Sequence, residues 1–339
     1  MVESPPYALG FAEIVAAEAR HRGARPVIFY DPEAALYGAH QGTEASDWSA
    51  LAQAEVAAVA ASDGYVLFPA TPEDRERRER LPRAHREAVE RRAQEWSQVL
   101  VRNSVPSVLM LAATATESAA VQYGVNLPAW RRECFRAGLV DPRDLQRAAR
   151  PLQRALHRGR RVTISHPNGT HLELKLAGRT PVVDDGRVDA HDLAAGRVWT
   201  TIPSGFLLVA VDENTAEGRF LSNRPSRHRR GVIEGMSWTF RDGRLREVEI
   251  DTGRTIFESS YRRGGPGRSR PALLSIGLNS EIRDFPLAED QERGVVTLYI
   301  GGNDDLGGTT HGPFRDYALL RGATVSVDGQ PIVRSGKLG

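Results

Sequence analysis

The segment from residue 65 to residue 111 decides the fold class, because two apolar runs in it flank a long charged stretch. It begins with YVLF (65–68) and ends with PSVLML (106–111), and each run has the length and composition of a buried strand. Between them, residues 73–100 predict a long charged helix, which Pro82 is expected to interrupt. A strand, a helix and a second strand in this order predict a parallel sheet with helices on its faces.

The same alternation extends to both sides of this segment and outlines an N-terminal α/β domain. A further short strand is predicted at PVIFY (26–30). Apolar residues at helical spacing predict helices at residues 11–21, 48–61, 127–137 and 142–157. The character of the sequence changes near Gly159, so we place the N-terminal domain at residues 1–158.

The remaining residues, 159–339, are predicted to form a β-rich domain. Short alternating runs, separated by Gly, Asp and Asn, occur at residues 161–165, 170–176, 244–250 and 295–300. Asp242-Gly243 and Asp328-Gly329 are dipeptides that favour tight hairpin turns between strands. The predicted fold class is therefore α/β: a parallel-sheet N-terminal domain followed by a β-rich α+β domain that carries the candidate site.

The charge balance argues against a nucleic-acid partner. The chain has 45 basic and 43 acidic residues, which leaves a formal net charge of +2, and only Lys175 and Lys337 are lysines. Binding to nucleic acid needs a concentrated excess of positive charge, and here the charges of both signs are spread along the chain. Even the Arg-rich run at residues 73–92 is interleaved with glutamates, so a solvated helix accounts for it.

No targeting or membrane segment is evident in the sequence. Residues 1–6 lack a basic stretch followed by an apolar run, and no apolar run reaches the roughly 20 residues that span a bilayer. The single cysteine, Cys134, excludes an internal disulfide. We therefore expect a cytoplasmic protein that acts on a small-molecule substrate and has no membrane partner.

The densest polar segment is GGNDDLGGTTHGPFRDYALLR (301–321), after a predicted strand. It contains His311, Asp304, Asp316 and Tyr317, and its glycines allow the backbone to approach a ligand closely. Imidazole and carboxylate groups are typical of a divalent-metal site or of general acid–base catalysis. A polar surface hairpin with a solvated histidine is the alternative, and composition alone favours it.

Other chemical signals in the sequence are weak. There is no GxxxxGK[ST], HExxH or GxSxG motif. Cys134 follows Arg131 and precedes Arg136, which could activate its thiol, but a lone helical cysteine is more often structural. The acidic stretch DDGRVDAHD (184–192) could bind a cation or simply join two strands.

The order of several motifs resembles that of the M29 (aminopeptidase T-like) metallopeptidases. The matching segments are Thr170-x-Leu-x-Leu, Asp185-Gly186, Ile202-Pro203-Ser204-Gly205, Ile276-Gly277-Leu278-Asn279, and Gly307-Gly308 through Asp316. They run through the second half of the chain in the family's order, and the predicted α/β first half also agrees. The resemblance implies a two-domain homodimer whose C-terminal domain carries a two-metal peptidase site. It also implies kinship with iron dioxygenases that open a dihydroxypyridine ring and with deaminases of aromatic amines.

At the positions that match the family's metal ligands, most residues here cannot bind a metal. The aligned residues are Phe206, Leu273, Thr297, Phe314 and Asp316, and of these only Asp316 keeps the identity of a ligand. Phenyl and isobutyl groups offer no oxygen or nitrogen donor. The resemblance therefore indicates a divergent member with a lost or rebuilt metal site.

The leading functional hypothesis is a divergent M29-like enzyme that hydrolyses an amide or a related bond in a small molecule. In a metal-free version, His311 is the predicted general base and Asp316 orients it or acts as the acid, with Asp304 assisting. Tyr317 or an arginine is predicted to stabilise developing negative charge.

The predicted substrate-binding residues combine cations with aromatic rings. Arg227, within the basic run 224–230, and Arg315 could bind an anionic substrate through their guanidinium groups. Phe206 and Phe314, at former ligand positions, are predicted to line the cavity.

Two alternatives remain open. The first is a mononuclear dioxygenase or deaminase with one divalent metal (Fe, Mn or Zn), which His311 and Asp316 would bind. An iron site of the two-histidine type would also need His228, whose place in a basic run makes it a poor neighbour for a cation. The second alternative is a pseudoenzyme that binds a ligand without catalysis.

Overall fold

The computed structural model describes residues 1–30, 42–69, 79–228, 230–312 and 314–339. They form two compact units: Met1–Cys134 with Gly186–Pro203, and Phe135–Asp185 with Ser204–Gly339. This division differs from the predicted boundary at residue 158, because the last N-terminal helix packs on strands of the second unit.

The bounds of the regular elements are as follows. The α-helices are Leu9–His21, Ala45–Ser49, Gln53–Ala60, Arg83–Arg102, Glu117–Tyr123, Leu127–Gly138, Pro142–Arg158, Ala190–Ala194 and Arg254–Tyr261. Short 3-10 helices are Pro6–Ala8, Leu111–Thr114, Pro266–Ser269, Glu289–Gln291 and Asp304–Leu306. The strands, numbered along the chain, are β1 Val2–Ser4, β2 Ile28–Tyr30, β3 Tyr65–Leu67, β4 Ser107–Leu109, β5 Arg161–His166, β6 Thr170–Lys175, β7 Val182–Asp184, β8 Trp199–Thr201, β9 Phe206–Ala210, β10 Glu217–Leu221, β11 Ser226–His228, β12 Gly231–Ile233, β13 Ser237–Arg241, β14 Arg244–Glu249, β15 Pro271–Gly277, β16 Val296–Gly301, β17 Arg315–Leu320, β18 Thr324–Val327, β19 Gln330–Arg334 and β20 Lys337–Leu338.

The first unit contains the predicted parallel sheet. In its described residues the strand order is β2-β1-β3-β4-β8, and every neighbouring pair is parallel. The predicted helix at 48–61 is instead two short helices, because Ala50 and Ala52 adopt extended backbone and Glu55 caps a new helix start. The charged helix begins at Arg83, directly after Pro82; of the predicted span, residues 73–78 lie outside the described part of the chain.

The second unit packs a helix and two antiparallel sheets around one apolar core. Its described strands form one sheet in the order β14-β13-β10-β6-β5-β18-β19-β20 and another in the order β17-β16-β15-β9-β7. The helix Pro142–Arg158 begins at Asp141, whose carboxylate accepts a hydrogen bond from the Arg143 N–H. It buries one stripe of side chains: Leu145, Ala149, Leu152 and Leu156.

The two predicted hairpin turns are confirmed. Asp242 and Gly243 have φ of 53° and 63°, and Asp328 and Gly329 have φ of 48° and 81°. They join β13 to β14 and β18 to β19, respectively. Positive φ at both central residues is the geometry that twisted hairpins favour. Within the described ranges, no helix has both the length and the apolarity that crossing a bilayer requires.

Candidate functional site

The structure places His311 on the surface of the second unit. Its side chain is 81% exposed, and its Nδ1 lies 3.0 Å from Asp304 Oδ2. The hydrogen bond from His311 is the main cause that lowers the pKa of Asp304. Among the described residues, the histidine within ion-pair distance of Asp316 is His228 instead. The predicted cooperation of His311 with Asp316 therefore has no contact to support it.

Much of the polar segment 301–321 has a structural role that sequence reasoning missed. Its anchor is Glu213, a buried residue between β9 and β10. One Glu213 carboxylate oxygen accepts from Asn303 Nδ2 at 2.8 Å and from the Thr309 N–H at 2.7 Å. The other accepts from Arg179 Nη2 at 2.9 Å. Burial by itself raises the pKa of Glu213, but these hydrogen bonds prevail and lower it to about 2. The loop thus gains a fixed shape from a buried, charged anchor.

Asp316 lies near the start of β17 and is nearly fully buried, with a side chain 4% exposed. Its Oδ1 is 3.5 Å from His228 Nε2, which is longer than a normal hydrogen bond, and Nε2 has no hydrogen-bond partner within the described residues. Burial raises the pKa of Asp316 to about 7, although the Tyr317 N–H donates to its carboxylate. Burial also lowers the pKa of His228 to about 4. Both shifts favour the neutral forms, so near neutral pH His228 is neutral and Asp316 is divided between its protonated and ionised forms.

Tyr317 supports this pair from the neighbouring position. The His228 ring lies over the Tyr317 ring, with centroids 4.9 Å apart and an interplanar angle of 31°. The Tyr317 hydroxyl donates to the Arg227 carbonyl oxygen at 2.9 Å. Ser226 Oγ in turn donates to the Tyr317 carbonyl oxygen at 3.2 Å. Tyr317 therefore connects β11 to β17, and its hydroxyl proton is already engaged.

Two arginines of the basic run 224–230, Arg224 and Arg227, are paired with carboxylates. Arg227 Nη1 lies 3.0 Å from Asp284 and 3.1 Å from Glu289, and Arg224 Nη2 lies 2.8 Å from Asp284. Burial opposes charge on Arg227, but the carboxylates of Glu289 and Asp284 outweigh it and raise its pKa. The expectation that this run makes His228 a poor neighbour for a bound cation stays a prediction; Arg229 lies outside the described residues.

Arg315 and Phe314 lie beside the same strand but serve different contacts. Arg315 Nη2 is 2.5 Å from Asp305 Oδ1, and its Nε donates to the Gly302 carbonyl oxygen. Phe314 is buried against the ring of Tyr261, with centroids 5.9 Å apart. These contacts assign Arg315 to the loop and Phe314 to an aromatic cluster.

The other residues that the sequence comparison aligned with the M29 ligands lie on the sheet β17-β16-β15-β9-β7. Leu273 and Thr297 are fully buried, whereas Phe206 at the start of β9 is half-buried. Thr297 pairs with Ser275 across β15 and β16, and neither buried hydroxyl has a hydrogen-bond partner within the described residues. Of these positions, Leu273 and Phe206 therefore offer no metal ligand, and Thr297 offers one buried hydroxyl.

The residues present do not fit the metal centre that the resemblance implies. A protein-bound metal needs several converging oxygen, nitrogen or sulfur ligands. In the part of the chain that the structure describes, no three His, Cys, Asp or Glu side chains converge in this way. A mononuclear triad of His228, His311 and Asp316 also fails, since His311 is paired with Asp304.

A second pair, Tyr299 and Asp290, was missed from the sequence. The Tyr299 hydroxyl donates to Asp290 Oδ2 at 2.6 Å, and the Tyr299 and Tyr317 ring centroids are 5.8 Å apart. Burial raises the pKa values of both groups. The acidic run AEDQE (288–292) could have predicted this pair, because it lies between two apolar strands and some of its carboxyl groups are therefore expected to be buried.

The two weak signals have structural explanations. Cys134 is buried, and desolvation raises the pKa of its thiol to about 12, so the neighbouring arginines do not activate it. In the acidic stretch 184–192, Asp189 caps the helix Ala190–Ala194 and accepts from the His191 and Asp192 N–H groups.

Comparison with known proteins shows the fold alone. No protein-family model matches the chain, and no curated protein matches it significantly. Its structure is similar to wild-type AmpT from Thermus thermophilus, with 16% identity over 99% of this chain and 93% of that chain and a TM-score of 0.74. It is also similar to 2,5-dihydroxypyridine dioxygenase from Pseudomonas putida KT2440, with 14% identity, coverage of 100% and 90%, and a TM-score of 0.62. The predicted M29 aminopeptidase-like fold class is thereby confirmed.

Proposed function

We propose that this chain is a small-molecule enzyme that hydrolyses an amide or a related bond by proton transfer at the His228–Asp316 pair. The supporting observation is the geometry of the pair: a carboxyl and an imidazole 3.5 Å apart, both withdrawn from water. Desolvated acid–base pairs of this kind occur preferentially at functional sites. The His228 side chain remains 19% exposed, which leaves an edge that a substrate can approach.

The chemistry follows from the proton that the pair holds. A general acid–base group works best when its pKa lies near the working pH, and Asp316 meets this condition. In the fraction of molecules in which Asp316 is ionised, its carboxylate accepts a proton from the attacking water as the new C–O bond forms. The pair then delivers that proton to the leaving nitrogen as the C–N bond breaks. His228 stays neutral beside the carboxyl. The proposed roles are thus exchanged relative to the prediction from sequence, in which His311 was the general base and Asp316 oriented it or acted as the acid.

Substrate recognition follows from the charges around the pair. Arg227 and Arg315, the predicted anion-binding residues, are each matched by carboxylates. Neither supplies an unmatched charge, so we propose a substrate without a strongly anionic group. Phe206 pairs with Gly277, at the end of the sheet where β17 contributes Leu320, so it lies away from Asp316 and is not proposed as a substrate contact. The homodimer and the cytoplasmic location also remain proposals.

The fold similarity to a dioxygenase supports a second reaction class in principle. We favour hydrolysis because a mononuclear iron site needs three converging ligands, and the described histidines and carboxylates do not supply them. The remaining alternative, a protein that binds a ligand without catalysis, would be supported by an absence of turnover in the following experiment.

The test uses the full-length chain and a panel of aminoacyl and acyl p-nitroanilides, with and without EDTA. We expect turnover that EDTA leaves unchanged and that His228→Gln and Asp316→Asn each lower by roughly 10²-fold or more. The matched control is His171→Gln, an exposed histidine on β6. His311→Gln discriminates between the two candidate bases and should retain turnover.

Three results would contradict the proposal. Loss of turnover in EDTA would indicate a metal-dependent reaction. Loss in His311→Gln with retention in His228→Gln would restore the exposed pair as the catalytic one. Absence of turnover of the whole panel by the wild type would count against hydrolysis and favour a ligand-binding protein.

A further inference from the structure

We infer that Glu289 is a positioning residue that acts through Arg227 to hold His228 over Tyr317 and beside Asp316. Glu289 touches neither His228 nor Asp316 in the described contacts, and sequence analysis did not select it. The inference deepens the proposed function, on which its catalytic meaning rests.

The first step is the weak attachment of β11. In the described residues, β11 pairs only with β12, in a two-stranded sheet of its own. It therefore lacks the ladder of backbone hydrogen bonds that fixes β17 to β16. A two-stranded hairpin is marginally stable by itself, so side-chain contacts must set its position.

The second step is the anchor that these contacts form. Glu289 is 2% exposed and Arg227 is 7% exposed, and Arg227 Nη1 donates to Glu289 Oε1 at 3.1 Å. Without the Glu289 carboxyl, Arg227 loses its buried partner and keeps the half-exposed carboxylate of Asp284, which draws the guanidinium toward the surface. Glu289 is held in turn by the short helix Glu289–Gln291, which packs on β15.

The third step connects the anchor to the site. Arg227, which Glu289 anchors, and His228, whose ring is positioned, are consecutive residues of the short strand β11. The Arg227 carbonyl accepts the Tyr317 hydroxyl, and that phenol ring carries the His228 ring. If Arg227 shifts, the stacking and the 3.5 Å separation from Asp316 change together.

The primary test is a structural readout at one fixed pH. The chain is labelled with 15N,13C-histidine, and the His228 ring signals, among nine histidines, are assigned from their loss in His228→Gln. The Tyr317 ring current should displace these signals in the wild type. We expect Glu289→Gln and Arg227→Met to move them toward the values of a free histidine, whereas Arg227→Lys, which keeps the charge, restores most of the displacement. Glu249→Gln, which removes an exposed ion pair with Arg219, is the matched control.

The catalytic readout uses the p-nitroanilide that the wild type turns over. Misplacement of a reacting group by about 1 Å costs about 10²-fold in rate, so kcat should fall by that order in Glu289→Gln, with KM nearly unchanged. Circular dichroism confirms that each variant is folded.

The outcomes separate this inference from the proposed function. Unchanged His228 signals in a folded Glu289→Gln variant would overturn the inference, even if His228→Gln abolishes turnover. Displaced signals, together with full turnover in His228→Gln, would sustain the positioning role and overturn the proposed function instead.

Discussion

The Asp316→Asn variant tests the protonation state of the His228–Asp316 pair, because asparagine keeps the shape of the acid and cannot ionise. Burial raises the pKa of Asp316 to about 7, whereas an unfolded aspartate titrates near ~3.9. An interval of about 3 pH units corresponds to about 4 kcal/mol of unfolding free energy. The contribution of the protonated carboxyl is full below pH ~4 and is lost as pH rises through about 7. The variant should therefore gain up to about 4 kcal/mol on the wild type between pH ~4 and pH ~8.

His228 titrates in the same range with the opposite sign. Burial lowers its pKa to about 4, so its contribution is present above its ordinary pKa and is lost as pH falls through about 4. The two effects partly cancel in the wild type. The comparison should therefore be repeated in the His228→Gln background, where only Asp316 titrates.

The assay is urea unfolding at a series of pH values, followed by circular dichroism and by tryptophan fluorescence. Coincidence of the two curves justifies a single free energy of unfolding for a chain with two compact units. If the pair is instead an imidazolium–carboxylate ion pair, Asn removes the partner of a buried cation. The relative stability of the variant would then fall as pH rises through the depressed aspartate pKa, below pH ~4, and that change would refute the neutral pair.

Three further predictions concern the surroundings of the site. Glu213→Gln should cost about 3 kcal/mol near neutral pH, since it breaks a buried ion pair, and the cost should shrink as pH falls toward about 2 in urea titrations; a pH-independent cost would contradict the charged anchor. Cys134 should resist Ellman's reagent at pH ~8 until the chain unfolds, because burial raises its pKa to about 12; rapid native labelling would contradict its burial. Gly218→Ala should lower the free energy of unfolding by about 1–3 kcal/mol, because φ is +114° and a Cβ would lie 2.2 Å from the His171 carbonyl oxygen; unchanged thermal stability would contradict that contact.

Local patterns predicted most of the framework. The strand–helix–strand order of residues 65–111 predicted the parallel sheet, and Asp-Gly dipeptides predicted two hairpin turns, because both signals depend on neighbouring residues alone. The prediction of one helix over residues 48–61 was wrong. A new helix begins after Ala52, whose N–H donates to the Glu55 carboxylate, and the Ala-rich sequence contains no Gly or Pro that would have signalled this break. The strand β8 joins the sheet of the first unit after the chain has passed through the second, and periodicity carries no sign of that return.

The candidate site was predictable only in part, because its residues meet across long sequence separations. Asp316 and Tyr317 were identified from the sequence, but their histidine partner was predicted to be His311, five residues away, rather than His228 on a separate hairpin. The carboxyl groups that pair with Arg224 and Arg227 belong to Asp284 and Glu289, which lie about sixty residues downstream. The dense polar segment 301–321 also suggested catalysis. In the structure, part of it is held in place by hydrogen bonds to the buried Glu213 carboxylate.

The most direct test of the central claim is the metal content and the turnover of one preparation, measured before and after exhaustive chelation. An enzyme that acts through the His228–Asp316 pair should keep its kcat when bound metal falls to a small fraction of the protein concentration. Turnover that falls in proportion to the metal removed, and returns when a single divalent metal is restored, would contradict the account.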